Sequence, residues 1–187
     1  DIGHEDVYLK AIWEEGDYVA RIEDTYYPTI QQAFDAAGGT WNDNTVYLLR
    51  DTTEYPVNNT GKKFDFNLDA HTVTGRITNS LGSDITLING RVEELDDNEE
   101  DTIKGAVINH GTLSLGKNDG MVDVENSIAL KGDEIGLTND GVFNFYDGYI
   151  EGDLSFDGEY DNCPDGYWVF INQLTVNNKI VQRAYLV

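Results

Sequence analysis

The chain has 187 residues, 40% of them hydrophobic and 11% aromatic, enough for one sizeable core and against global disorder. It carries 35 acidic and 12 basic side chains, a formal charge of -23. That charge repels phosphate backbones and anionic membrane surfaces, which argues against a nucleic-acid partner and leaves divalent cations or a basic partner.

Cys163 is the single cysteine, so no internal disulfide forms, which does not exclude an extracellular site because a large core needs no staple. No apolar run approaches the ~20 residues of a membrane helix, so no membrane insertion is expected within this sequence. The chain begins at Asp1 without a signal segment, and the expectation is that it belongs to a larger multidomain protein.

In chain order, Val7 to Ile22 alternates apolar and polar residues around a Glu-Gly-Asp turn and predicts a hairpin. Ile30, Ala33, Phe34 and Ala37 then share one face of a helix. Thr29 is its expected N-cap, and Gly38-Gly39 its stop. "NTVYLLRD" is a buried strand around Val46, Leu48 and Leu49. Strands and turns follow in "EYPV", "KFDFNLD" and "TVTGRITN".

A repeat begins here. Ile77, Val107 and Leu137 are spaced by thirty, as are Asn79, Asn109 and Asn139. Gly82, Gly111 and Gly141 come next, then the alternating pairs Ile85/Leu87, Leu113/Leu115 and Phe143/Phe145. Gly90, Gly120 and Gly148 each precede a further short strand, expected to carry Val92, Val122 and Ile150. A period of thirty is too short for a propeller blade and fits a solenoid of three short strands per coil. Stacking places Ile85, Leu113 and Phe143 in one inward ladder and Leu87, Leu115 and Phe145 in another. The repeated asparagines are expected to take left-handed corners and to bond from coil to coil.

The predicted fold is therefore all-β, a short right-handed parallel β-helix in one domain. Residues 1–45 form its N-terminal hairpin and capping helix, 46–155 its coils and 156–187 its C-terminal cap. The last of these includes a hairpin turning at Asn177-Asn178, which covers the open edge.

The segments from Thr29 to Ala37, Val46 to Asp51 and Leu68 to Thr74, with the thirty-residue coils, resemble the right-handed β-helix domains of secreted and surface-anchored proteins of Gram-positive bacteria. The resemblance spans roughly residues 18 to 155 and departs at Asp69-Ala70, where that family usually has Asn-Gly. The fold is similar to that of pectate lyases. The resemblance implies an extracellular, secreted or cell-wall-anchored module. Its expected role is adhesin-like and non-catalytic, with a glycan or protein of the host or cell surface as partner.

The outward residues near the third repeat carry the candidate chemistry. Tyr146 and Tyr149 are candidates for stacking on sugar rings beside Asn144 and Asp147, and Trp41 is a further candidate contact. As an enzyme, the alternative, the chain would use Asp147, Glu151 and Asp153 across a glycosidic bond. A spacer without a ligand is the third reading. No cofactor is predicted. Calcium is an option through Glu93, Glu94, Asp96 and Asp97, though the run lacks the spacing of a preformed calcium loop. His4, His71 and His110 have no metal-ligand spacing. Trp168 is expected to pack on the last coil, and "NNT" at Asn58 matches the glycosylation sequon.

Overall fold

Apolar residues that alternate over three to five positions, cut by Gly, Asn and Asp, give short strands with one face buried. The computed structural model describes residues 17–38, 45–95, 104–124 and 127–187. It opens with β1 (Ala20–Ile22), β2 (Thr25–Tyr27) and α1 (Ile30–Ala36). Next come rounds of three strands. The first is β3 (Thr45–Leu48), β4 (Thr52–Glu54) and β5 (Val57–Asn58). The second is β6 (Lys63–Asn67), β7 (Thr72–Gly75) and β8 (Ile77–Asn79). The third is β9 (Asp84–Ile88), β10 (Gly90–Glu93) and β11 (Val107–Asn109). The fourth is β12 (Thr112–Leu115), β13 (Ile128–Lys131) and β14 (Ile135–Asn139). The fifth is β15 (Val142–Phe145), β16 (Tyr149–Gly152) and β17 (Leu154–Asp157). A hairpin of β18 (Val169–Val176) and β19 (Lys179–Leu186) ends the chain.

Every third strand pairs. The first sheet is ordered β15-β12-β9-β6-β3-β1-β2, the second β18-β19-β16-β13-β10-β7-β4 and the third β17-β14-β11-β8-β5. Pairing is parallel among the rounds and antiparallel where β1, β2, β18 and β19 join. The fold is all-β with parallel sheets and one helix among the described residues.

Both expected ladders are present. Phe64, Ile85, Leu113 and Phe143 lie in register, as do Val46, Phe66, Leu87, Leu115 and Phe145. Side chains from all three sheets enter one apolar cluster, including Ile85, Val92 and Ile77. Thr29 caps α1, its hydroxyl accepting from the Gln32 N–H at 3.2 Å. The helix buries Ile30, Ala33 and Phe34, and the Phe34 ring lies 4.8 Å from Phe64 and 5.1 Å from Phe66. It thereby covers apolar side chains at the start of the first sheet.

Asparagine forms its own ladder. The Nδ2 of Asn58 donates to Asn79 Oδ1 at 2.8 Å, Asn79 to Asn109 at 2.7 Å and Asn109 to Asn139 at 2.7 Å. The expected bonds are there, but the expected left-handed corners are not. Positive φ falls elsewhere, at Asp69, Ala70 and Asn89 among others. The asparagines end strands β8, β11 and β14 in ordinary backbone, because bonding along the stack needs only the side chain. Asn58 is fully buried as the first rung, so its sequon is inaccessible in the folded chain.

Three further expectations change. In the second sheet, Val92 pairs with Leu130 and Leu130 with Ile150, so Leu130 takes the place foreseen for Val122. Val122 packs against the core from an irregular segment instead. Ala20–Ile22 pairs with Thr25–Tyr27 across Glu23-Asp24, and residues 7–16 of the foreseen hairpin lie outside the described residues. Trp168 is 57% exposed, because Val169 turns inward at the open end of the hairpin.

Candidate functional site

Alternation along the second sheet sends every other side chain outward, and the parallel register aligns them across rounds. One outward row runs Thr72, Arg91, Ala129, Tyr149, Tyr185 and Phe170. Its neighbour runs Thr74, Glu93, Lys131, Glu151 and Arg183, with charge alternating from Glu93 onward.

Ala129 is the small residue of the first row. Arg91 stands on one side and Tyr149 on the other, and the gap opens into a groove of about 500 Å³. Its rim and floor include Asp69, Thr72, Asn89 and Ser127. The groove crosses β7, β10, β13 and β16, three strand spacings or ~14 Å. Gly90 is part of the floor because the backbone crowds it. A Cβ there would stand 2.4 Å from Leu68 Cβ and 2.6 Å from His71 O. At the edge, the Thr72 N–H donates to Asp51 Oδ1 at 2.8 Å and, with His71, holds that carboxyl below its ordinary value. Arg91 is half-exposed, its guanidinium 3.7 Å from Glu93. Among the described residues the groove thus offers the Arg91 cation, the Tyr149 side chain, amide and hydroxyl groups, and the Asp69 carboxylate.

Tyr149 belongs to this groove, but the residue is only 7% exposed. The Arg183 guanidinium lies 4.3 Å from its centroid and the Lys131 ammonium 5.7 Å away. Cations therefore already stand over the ring on which a sugar would stack. Tyr146 follows β15 and is half-buried, and it does not line the groove. Asn144 donates to Ser114 Oγ at 3.1 Å and accepts from Asn162 Nδ2 at 2.7 Å. Trp41 lies outside the described residues.

The three carboxylates of the enzyme reading do not converge. Asp147 Oδ1 accepts from the N–H groups of Asp123 at 2.6 Å and Gly148 at 2.8 Å, bracing a turn. Glu151 is 6% exposed and accepts from Arg183 Nε at 2.9 Å and Nη2 at 2.7 Å, with Lys131 at 3.7 Å. Asp153 pairs with Lys179 at 3.2 Å. The same ammonium donates to Asp133 Oδ1 at 2.7 Å, and both acids raise its pKa.

Of the calcium candidates, Glu93 faces Arg91. The Glu94 side chain is 5% exposed and accepts from Gly105 N–H at 2.8 Å and Asp133 N–H at 3.1 Å, with Arg76 at 3.6 Å. Asp96 and Asp97 lie outside the described residues. Among the described residues no group of three or more His, Cys, Asp and Glu is placed to hold a metal ion.

Thr72, Asn89, Arg91, Ser127 and Ala129 were not foreseen as a site. Their common signal is the outward register of the second sheet, which the misplaced strand at Val122 hid. No protein-family model, curated protein or solved structure matches this chain.

Proposed function

We propose that this chain is a non-catalytic, adhesin-like binding module of a secreted or cell-surface bacterial protein, folded as a short right-handed parallel β-helix. Its ligand is a glycan held in the groove between Arg91 and Tyr149. The groove is the observation that carries this reading. It is about 500 Å³, lined by amide, hydroxyl and guanidinium groups, and open along four successive strands. The every-third-strand pairing supports the β-helix, with each round of three strands as one coil. The residues from Thr29 to Ala37 and Leu68 to Thr74, which resemble surface-protein β-helices, support the location.

Hydrolysis needs two carboxyl groups facing a shared substrate. Among the described residues Asp69 is the one carboxylate lining the groove, and Asp147, Glu151 and Asp153 each serve a separate intramolecular contact. This favours retention of an intact ligand over its cleavage.

The test is a glycan array with the wild type, Arg91→Ala and Ala129→Phe. The first removes the cation and the second fills the floor. Both are expected to abolish hits while keeping the wild-type melting temperature. Hits that survive both variants would remove the groove from consideration. Release of reducing ends or an unsaturated product from a bound glycan would overturn the non-catalytic reading.

A further inference from the structure

The C-terminal hairpin closes one sheet edge and exposes another. The 159–163 segment seals the side of β15, with Asp161 N–H donating to Phe143 O at 2.6 Å and Asn162 O accepting from Phe145 N–H at 2.8 Å. β19 seals the side of β16. β18 is then the last strand of the second sheet, eight residues long.

The register fixes which of its backbone groups stay open. Trp168 and Val187 exchange both N–H···O bonds, at 3.2 and 3.1 Å. In an antiparallel ladder such pairs alternate. Phe170, Asn172, Leu174 and Val176 therefore face β19, and Val169, Ile171, Gln173 and Thr175 point their N–H and C=O groups away from it. Among the described residues no hydrogen bond joins those outward groups to another strand.

Edge strands left in water usually carry Lys, Pro or a bulge that discourages pairing. β18 has no charged residue and no proline, and it pairs with β19 without a break. Its surroundings are apolar, with Trp168 57%, Phe170 44% and Ile171 49% exposed. Charge singles out the same place. Residues 166–187 contain no Asp or Glu, so all 35 acids lie elsewhere. Two copies of a chain with charge -23 repel over most of their surfaces, and the hairpin is where they approach with the least repulsion.

We propose that two copies of this chain pair edge to edge through antiparallel β18 strands about a two-fold axis. A strand edge is self-complementary under such an axis. Centring it on Asn172 uses every outward group, since Val169 meets Thr175 of the second copy and Ile171 meets Gln173. The same register sets Phe170 opposite Leu174 of the second copy.

Sedimentation equilibrium over about a hundred-fold range of concentration tests this, since mass action then separates monomer from dimer. The wild type is expected to show a concentration-dependent dimer. Gln173→Pro removes an outward N–H and leaves the bonds to β19 intact, so it is expected to be monomeric with an unchanged melting temperature. Ile171→Lys changes only an exposed side chain and is expected to be monomeric as well. A wild type that stays monomeric throughout overturns the proposal. So does a dimer that persists at wild-type strength in both variants.

Discussion

The side-chain amide of Asn79 donates to Asn109 Oδ1 at 2.7 Å, although thirty residues separate the two. The same Nδ2 donates to Thr112 O at 2.9 Å, and Asn109 repeats both bonds toward Asn139 and Val142. Each amide is thus held by the round before it and holds the round after it. Asn109→Ala removes a fully buried rung and leaves the Oδ1 of Asn139 without that donor. We expect a loss of about 3 kcal/mol in urea unfolding, since orphaned buried polar groups cost roughly 1–3 kcal/mol each. Asn139 is only half-buried, so Asn139→Ala is expected to cost less than half as much. Equal losses at the two positions would contradict a burial-dependent ladder.

Glu151 and Arg183 give a prediction that separates structure from chemistry. The carboxylate is 6% exposed and held by two guanidinium bonds and by Lys131. Glu151→Ala leaves those cations partly buried without their anion, which costs about 3 kcal/mol. Arg183→Met in the same background is expected to recover part of that loss. Wild-type stability in Glu151→Ala would show that the pair contributes nothing.

Two exposed ion contacts shape the ends of the pH–stability curve. Asp133, then Asp153, hold the Lys179 ammonium above its ordinary value of 10.5. A raised folded-state value means the contact contributes fully below pH 10.5 and is lost as pH climbs through the higher value. Lys179→Met is therefore expected to flatten the alkaline limb of melting temperature against pH. Asp51 behaves oppositely. The Thr72 N–H, then His71, hold its carboxyl below 3.8, so its contribution is present above that pH and is lost as pH falls through the lower value. Asp51→Asn is expected to flatten the acid limb alone.

The inward half of the fold was legible because Ile85, Leu113 and Phe143 keep a simple alternation beside repeated asparagines. The second sheet was not, although the period stays at thirty between Val107 and Leu137. Val92 and Leu130 are 38 positions apart, whereas Leu130 and Ile150 are only 20 apart. One round carries its long connection after β10 and the next carries it after β12, so the two irregularities cancel in the period. A loop that moves from one corner to another leaves the sequence period unchanged. The groove residues Arg91, Ser127 and Ala129 lie beside those displaced corners, and a site made by lateral register leaves no motif in one dimension. Asn58 was missed as a rung because its round is shorter, 21 residues before Asn79.

The turn at Asp69-Ala70 yields the last prediction. His71 N–H donates to Leu68 O at 2.8 Å, closing a four-residue turn whose central residues have φ of 48° and 67°. Both are left-handed, the backbone that Asn-Gly provides in a primed turn. The departure from Asn-Gly therefore leaves the turn shape intact and adds strain. Ala70 has a Cβ where glycine would have none, at about 1–2 kcal/mol for left-handed backbone. Glycine gives back ~0.4–1 kcal/mol through the greater freedom of the unfolded chain. Ala70→Gly is thus expected to stabilise by about 0.5–1 kcal/mol, a rise of roughly 2–3 °C in Tm for a domain of this size. Ala70→Val is expected to destabilise, because a β-branched residue tolerates positive φ least. Ala70 also lines the groove but brings no polar side-chain atom to it, so a ligand read by Arg91 is expected to bind Ala70→Gly with unchanged affinity. A lower Tm for Ala70→Gly than for wild type would mean that contacts of that methyl outweigh the backbone strain.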